Sequence, residues 1–514
     1  MKKNLFVYVL MAVTLFSCAE QDDLDVNESN ASVNPEKESS EPKLIALSFS
    51  MYLNPMQLTG NVEGTIVGDS IVECWVPNIM SDKSLIADIE HTGDTLLIDG
   101  ELATSGATKF DFKKPVTLTV IASGKAKDYT VYVHSFTGLP VLWIETEGRQ
   151  DITSKDVYLN AHLRLVENVR TRAAGDVIEK DVTIKGRGNS TWGMAKKPYQ
   201  LKFEEKTSLP DETADKTWVL LANYADKAML RTSVAFYMGQ ISNLDYTPKA
   251  HFVELFLNGR YNGTYLLCEK LKIAKHRVNV GDDGFLLEVD AKAASDDITF
   301  KVSHLGQPVN IKDPDVVAGD EDYAFVSDYV SKADAALYSS NFTDVDTGWQ
   351  KYMDMDSFVE WYLVNEIAKN NDACMFSSCY MNLKRGEKLK MGPLWDFDIA
   401  FGNVNYNGTY LTDGFWIKNS NWFSQMFKDP AFVARVKERF DYFYSRKDDI
   451  MREINENAEY LRYAVQENEN KWHTFYVYTW PNYDIWGSYQ NEVQSMKEWL
   501  NTRFEWLKTE FDKM

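Results

Sequence analysis

Two carboxylates one residue apart, in Trp395-Asp396-Phe397-Asp398, form the strongest local chemical signal in the chain, with Phe401-Gly402-Asn403 just downstream. Flanked by apolar side chains, such a pair offers hard oxygens suited to Mg²⁺ or Mn²⁺ bridging a phosphate. Taken alone, the pair reads as solvated or capping aspartates. A second acidic candidate, Asp372, ends Asn370-Asn371-Asp372 behind a predicted amphipathic helix over Met355 to Lys369. A carboxylate there can be presented into a cleft and accept a proton from a hydroxyl nucleophile. In isolation Asn and Asp at that place read as ordinary helix termination. Asn382, in the next strand-like stretch, could supply a neutral oxygen to a cation.

The third element is Lys185-Gly186-Arg187-Gly188-Asn189-Ser190-Thr191-Trp192, running into Lys196-Lys197-Pro198-Tyr199-Gln200-Leu201-Lys202-Phe203. Glycines let backbone amides approach phosphate oxygens, and a lysine on the following strand can neutralise charge. This is neither a P-loop nor a complete GxGxxG, and Gly-Arg-Gly alone reads as a β-turn. Strand alternation sets Lys197 with Tyr199, Leu201 and Phe203, and Lys202 with Gln200 on the opposite face. Spacing does not say which lysine meets a nucleotide.

These residues sit in a chain of 514 residues whose formal charge is −21, which disfavours a nucleic-acid binder. Against that acidic background, Lys185 to Lys202 holds Lys185, Arg187, Lys196, Lys197 and Lys202 with no acidic residue among them. That local reversal of sign suits a polyanion site. With 44% apolar and 25% charged residues the composition is that of a folded protein with room for about three domains.

Residues 1–17 read as a lipoprotein signal peptide: Lys2 and Lys3 precede an apolar run too short to span a bilayer, and Leu15-Phe16-Ser17-Cys18 resembles a lipobox. Cys18 is then the lipid attachment site, and residues 18–42 an acidic tether too poor in apolar side chains to fold. Residues 43–136 alternate apolar and polar positions in short runs such as VTLTVIAS, predicting a β-sandwich spacer similar to immunoglobulin-like modules. Beyond Gly138-Leu139-Pro140, strand-like runs continue to about Asp290, broken by a helical stretch near Lys227 to Gly239. Helices dominate from about Glu321, including one over Asn491 to Phe511. This is an α+β layout with a natural cleft between a sheet-rich and a helix-rich lobe. Cys74, Cys268, Cys374 and Cys379 are too few for a disulfide framework and read as buried thiols or one optional bridge.

Together, KGRGNSTWGMAKKPYQLKF, WVLLANYADKAMLR, VELFLNGRYNGTYLLCEKL, NEIAKNND and GPLWDFDIAFGN resemble, in order, the spore-coat CotH kinase family, an atypical protein-kinase-like group. The resemblance covers residues 139–514 and implies a two-lobed kinase-like domain. It further implies transfer of the γ-phosphoryl group of ATP, with Mg²⁺ or Mn²⁺, to Ser or Thr hydroxyls of a protein substrate. Carried over, Asp372 matches the catalytic aspartate and Asp396 the metal-binding one, with Asp398 and Asn382 as further ligands. Arg187, Lys197 or Lys202, Arg231 and Glu269 fall at the nucleotide. The sequence lacks HRD and a full glycine loop. The expected location is the cell envelope, lipid-anchored at the outer membrane or cell surface. Two further readings stand beside this one. The chain could be a catalytically silent scaffold holding a glycan or partner protein on Trp192, Trp395, Trp416 and Trp422, or a structural envelope protein.

Overall fold

The computed structural model describes residues 41–58, 60–76, 83–135, 137–166, 177–209 and 213–514. The expected leader, the lipid-bearing Cys18 and nearly all of the tether lie outside the described residues. Among the described residues from Leu44 to Ser135 the regular elements are all strands. A three-stranded sheet is centred on Leu44–Phe49, and a six-stranded sheet runs through Ile71–Val76, Lys125–Ser135 and Val116–Ala122. Strand Val116–Ala122 alternates buried and more exposed side chains, so every second residue enters the core shared with Leu47, Phe49, Val72 and Val131.

The next unit is a closed barrel. Its seven strands follow the order Val141–Thr146, Leu159–Val166, Val177–Gly186, Tyr199–Thr207, Asp215–Leu221, Arg260–Glu269 and Ala250–Leu257, the last returning parallel to the first. Inward positions are filled by Leu142, Ile144, Leu163, Ile184, Leu201, Trp218, Val253 and Leu267, which makes a packed interior rather than a pore. Between Asp215–Leu221 and Ala250–Leu257, the fifth and seventh strands in space, the chain detours through helix α1 (Arg231–Gln240), which packs into the core of the helical part. The helical stretch anticipated near Lys227 to Gly239 therefore starts at Arg231.

A five-stranded antiparallel sheet follows, ordered Thr299–Phe300, Val309–Asp313, Gly284–Val289, Cys379–Lys384 and Lys390–Met391. Its central strand, Gly284–Val289, is buried throughout, as its apolar run FLLEV requires. Helices α2 (Glu321–Leu337), α3 (Met355–Ala368), α4 (Asn421–Met426), α5 (Pro430–Ser445), α6 (Lys447–Trp472) and α7 (Tyr489–Asp512) complete the fold. The architecture is thus α+β. Helix α3 is buried on all sides from Ser357 to Ala368 and forms the axis of the helical part. Asp354 caps its start by accepting from the Ser357 amide at 2.9 Å. Its end is a left-handed Lys369, φ 45°, whose ammonium donates to the carbonyls of Gly408 and Leu411.

Helix α6 ties the barrel to the helices. Asn468 accepts from the Thr264 amide at 3.2 Å and from Lys196 Nζ at 2.9 Å, and Trp472 Nε1 donates to the Asn262 carbonyl at 2.9 Å. No described helix is long and apolar enough to cross a membrane. All four described cysteines are free thiols, so no disulfide joins Cys374 to Cys379.

Candidate active site

A cleft of about 530 Å³ opens between one end of the barrel and the five-stranded sheet. Topology explains how distant segments meet there. Strands Gly284–Val289 and Cys379–Lys384 are antiparallel with Val289 opposite Cys379, so the residues following the first strand face those preceding the second. Asp290 and Lys292 thereby come beside Asp372, Ser377 and Ser378. The Ser377 hydroxyl donates to Asp290 at 2.7 Å. Lys292 Nζ lies 3.3 Å from Asp372 Oδ2, and Asn371 Nδ2 donates to Asp372 Oδ1 at 2.8 Å. Both carboxylate oxygens of Asp372 are therefore held in place.

Asp396 and Asp398 line the same cleft. Asp396 adopts φ 65°, a conformation uncommon for a residue with a Cβ, and its carbonyl accepts from Asn370 Nδ2 at 3.1 Å. The Ser378 hydroxyl donates to its carboxylate at 3.1 Å. Asp396 is open to water on its cleft side, but the surrounding walls and then the charge of Asp372 raise its carboxyl above the ordinary range, against the pull of Arg187. Asp398 is pushed up to about 8, first by burial and then by Asp396, Asp226 and Asp372. These carboxylates repel one another across the cleft, a strain that a cation relieves.

Asp396 and Asp398 fit a hard divalent ion by their chemistry. Among the described residues, no group of three His, Cys, Asp or Glu side chains stands close enough to cage one. Mg²⁺ in nucleotide sites commonly takes one or two protein carboxylates and completes its shell with water and phosphate oxygens. That coordination matches a pair of aspartates better than a closed cage would.

The barrel supplies the opposite charge. Lys185 and Arg187 line the cleft, joined by Lys155 and, from the sheet side, by Lys312, which is paired with Glu288 at 3.4 Å. Lys196 at the same wall instead spends its ammonium on Asn468 and the Thr264 carbonyl. Lys185 and Arg187 make no salt bridge among the described residues; Arg187 stands 5.7 Å over the Trp395 ring and Lys185 4.8 Å over Tyr158. The Gly-Arg-Gly turn is sterically required. A Cβ on Gly186 would lie 2.3 Å from the Trp192 ring, and Gly188 has φ 87° with Thr191 Oγ1 2.2 Å from where its Cβ would be.

Of the residues singled out from the sequence, Arg187, Asp372, Asp396 and Asp398 come together in this cleft and five do not line it. Lys197 donates to the Trp192 carbonyl at 2.6 Å. Lys202 is exposed opposite Thr183, farther from the loop than the cleft-lining Gln200, which pairs with Lys185. Arg231 is buried in an ion pair with Asp226 and donates to the Ala400 carbonyl at 3.2 Å, bracing the segment behind Asp398 from below. Glu269 sits opposite Trp218, whereas the cleft begins at Leu221, at the other end of that strand. It accepts from Tyr246 and from the Lys249 amide. Asn382 donates to the Gly392 carbonyl at 3.2 Å and faces a separate hollow with Asp245 and Lys390. Among the four tryptophans considered as platforms, Trp395 and Trp422 are buried and Trp192 and Trp416 half-buried.

Sequence reasoning missed Lys292, Asp290, Lys312 and the cleft-lining Tyr406 and Trp480. A signal existed for two of them: the buried run FLLEV ends directly before Asp290 and Lys292, where a strand end can present charge.

The cleft thus pairs an acidic floor with a cationic barrel rim, the charge layout of a metal-assisted polyphosphate site. The chain belongs to the CotH kinase protein family, whose model matches residues 184–507, more than half of the sequence. The family is one of kinase-like proteins. No curated protein matches the chain. A crystal structure described as a candidate glycoside hydrolase from Bacteroides thetaiotaomicron is similar at 14% identity, over 54% of this chain and 75% of that one. Its TM-score is 0.16, too low to bear on the fold.

Proposed function

We propose that the protein is an extracytoplasmic kinase that transfers the γ-phosphoryl group of ATP to Ser or Thr hydroxyls of a protein. The observation that carries this reading is the meeting of Asp372, Asp396 and Asp398 with Lys185, Arg187 and Lys292 in one cleft. Phosphoryl transfer asks a protein mainly for charge neutralisation and an aligned nucleophile. Lys185 and Arg187, which make no salt bridge among the described residues, are available for phosphate oxygens. Asp396 and Asp398 would hold Mg²⁺ or Mn²⁺, which when bound neutralises phosphate charge. Asp372, fixed by Asn371 and Lys292, accepts the proton of the acceptor hydroxyl as its oxygen bonds to the γ-phosphorus and the bond to the β-phosphate oxygen breaks. ADP leaves, and Lys292 balances negative charge beside the new phosphoester.

In this reading the barrel and the helical part are the two lobes of a kinase-like domain. The strand unit from Leu44 to Ser135 is an immunoglobulin-like spacer, and Cys18 carries the lipid that fixes the protein in the envelope. The mature protein incubated with labelled ATP and Mg²⁺ or Mn²⁺ should label itself or a Ser/Thr acceptor, with Asp372→Asn and Asp396→Ala both silent. Equal labelling by all three proteins would sink the assignment.

A further inference from the structure

Beside the cleft, large aromatic rings stand in solvent. The connection between α6 and α7 reads TFYVYTWPNYDIWGS, and Tyr476 is 80% exposed, Tyr478 49%, Trp480 57%, Tyr483 49% and Trp486 40%. Single exposed apolar residues need no explanation, but five aromatic rings within eleven residues of chain do. They are not loosely held. Asn405 donates from its amide to the Pro481 carbonyl at 3.0 Å and from its side chain to the Tyr478 hydroxyl at 2.7 Å. Asn482 Nδ2 donates to Asn403 Oδ1 at 2.9 Å. The connection is thereby stitched to the loop that follows Asp398.

Rings from the two loops lie nearly parallel. Tyr406 and Trp480 are inclined by 14° with centroids 6.1 Å apart, and Tyr410 and Tyr483 by 10° at 4.4 Å. Tyr406 and Trp480 line the cleft itself, so the ring surface is continuous with the site. It is also tied to Asp372: Asn407 and Thr409 donate to Asn371 Oδ1 at 3.1 and 3.3 Å, and Asn371 orients the Asp372 carboxylate.

Charge decides what lies on these rings. Residues 403–416 and 474–488 contain no Lys or Arg and carry Asp413 and Asp484. The cations that reach these loops, Lys227, Lys369 and Arg503, are buried and spent on the backbone carbonyls of Val477, of Gly408 and Leu411, and of Thr412 and Gly414. Nucleic acid and anionic lipid both need cations there. A neutral ligand with flat apolar faces and hydroxyl edges suits fixed phenol and indole rings flanked by Asn and Asp side chains, and rings already held in place lose little entropy on binding. We propose that this surface is a docking platform for a neutral saccharide chain laid across the rings towards the cleft. Only its consequence rests on the phosphotransfer reading: the acceptor hydroxyl then reaches Asp372 on a sugar-bearing envelope molecule.

The test uses the mature protein without nucleotide. Neutral hexasaccharides of β-1,4-glucose, β-1,4-mannose, β-1,4-xylose, β-1,3-glucose and α-1,4-glucose are titrated by tryptophan fluorescence and calorimetry. At least one should bind with a Kd of about 1 mM or tighter, and Tyr483→Ala/Trp486→Ala should weaken it by about tenfold or more. Tyr476→Ala, at a ring almost free of the fold, serves where the double variant folds poorly. Both variants should bind ATP as the parent does, so failure of sugar binding and failure of phosphotransfer read out separately. The proposal is overturned if no hexasaccharide binds or if the variants bind it unchanged. It is equally overturned if the rings serve only phosphatidylglycerol vesicles or a sugar-free Ser/Thr peptide.

Discussion

Glu366 and Asp398 are both acidic side chains set among charged neighbours, yet their surroundings are opposite. Glu366 is fully buried and completely answered: Arg503 Nη2 lies 2.7 Å from Oε1, which also accepts from the Trp416 amide at 2.7 Å, and Oε2 accepts from the Lys418 amide at 2.9 Å. Arg503, itself buried, donates further to the carbonyls of Glu366, Thr412 and Gly414. That pair fastens α3 and α7 to the loop between them. Asp398, about 30 residues along the chain, faces Asp396, Asp226 and Asp372 and is pushed up to about 8. At Glu366 the buried charge is paired and serves the fold, and at Asp398 the charge faces other carboxylates and is left for something that binds.

The contrast can be broken at either end. The largest expected effect is at the cleft. Asp372→Asn should lower labelling by about 10²- to 10⁴-fold while the melting temperature stays within a few degrees of the parent. If the variant labels normally, Asp372 is not the base. Glu366→Gln should do the reverse, costing about 3–5 kcal/mol in denaturant unfolding because Arg503 keeps a buried charge without its counterion. Unchanged stability there would remove the distinction between the two regions.

An intermediate effect is expected at the junction of barrel and α6. Burial pushes Glu254 up to about 7 and Glu467 up to about 8, the latter also by the charge of Glu254, while burial brings Lys196 down to about 7. The folded protein holds protons on the two glutamates that the unfolded chain has released above about pH 4.5, so their contribution to stability falls as pH rises from about 5 to 8. Lys196 acts oppositely and only above about 7, where the unfolded chain keeps a proton that the folded one has lost. Glu467→Gln should flatten the decline between pH 5 and 8, read by thermal melting across buffers. An unchanged slope would place the titration elsewhere. The smallest effect is at Glu269, which lies at the far end of its strand from the cleft: Glu269→Gln should leave ATP affinity within about twofold of the parent, a difference of roughly 0.4 kcal/mol.

What the sequence disclosed follows the same division. The spans of two helices were legible: the predicted helix over Met355 to Lys369 is α3, Met355–Ala368, and that over Asn491 to Phe511 is α7, Tyr489–Asp512. Helix α3 is nonetheless buried on every side rather than amphipathic, because the helical part closes around it. Asp372, Asp396, Asp398 and Arg187 could be singled out because they stand in short, distinctive segments. Direction along a strand could not. Alternation says which face Glu269 or Lys202 shares with its neighbours but not which end of the strand meets the cleft, and that is set by barrel closure and by pairings such as Leu221 with Leu266. Asn382 failed for a related reason, since it lies two residues beyond the cleft-lining Tyr380 on its strand. Lys292 depends on a contact across 80 residues of chain, and the aromatic surface on two loops joined only in the folded state.

The central claim, that the acidic floor and the cationic barrel rim grip one metal-bound triphosphate, is tested most directly by calorimetric titration of ATP with and without Mn²⁺. The parent should bind only with the metal, Asp396→Ala should bind in neither case, Lys185→Ala/Arg187→Ala should be at least about tenfold weaker, and Lys202→Ala should match the parent. Equal ATP binding by the parent and Asp396→Ala in the presence of Mn²⁺, or full binding by the parent without it, would contradict it.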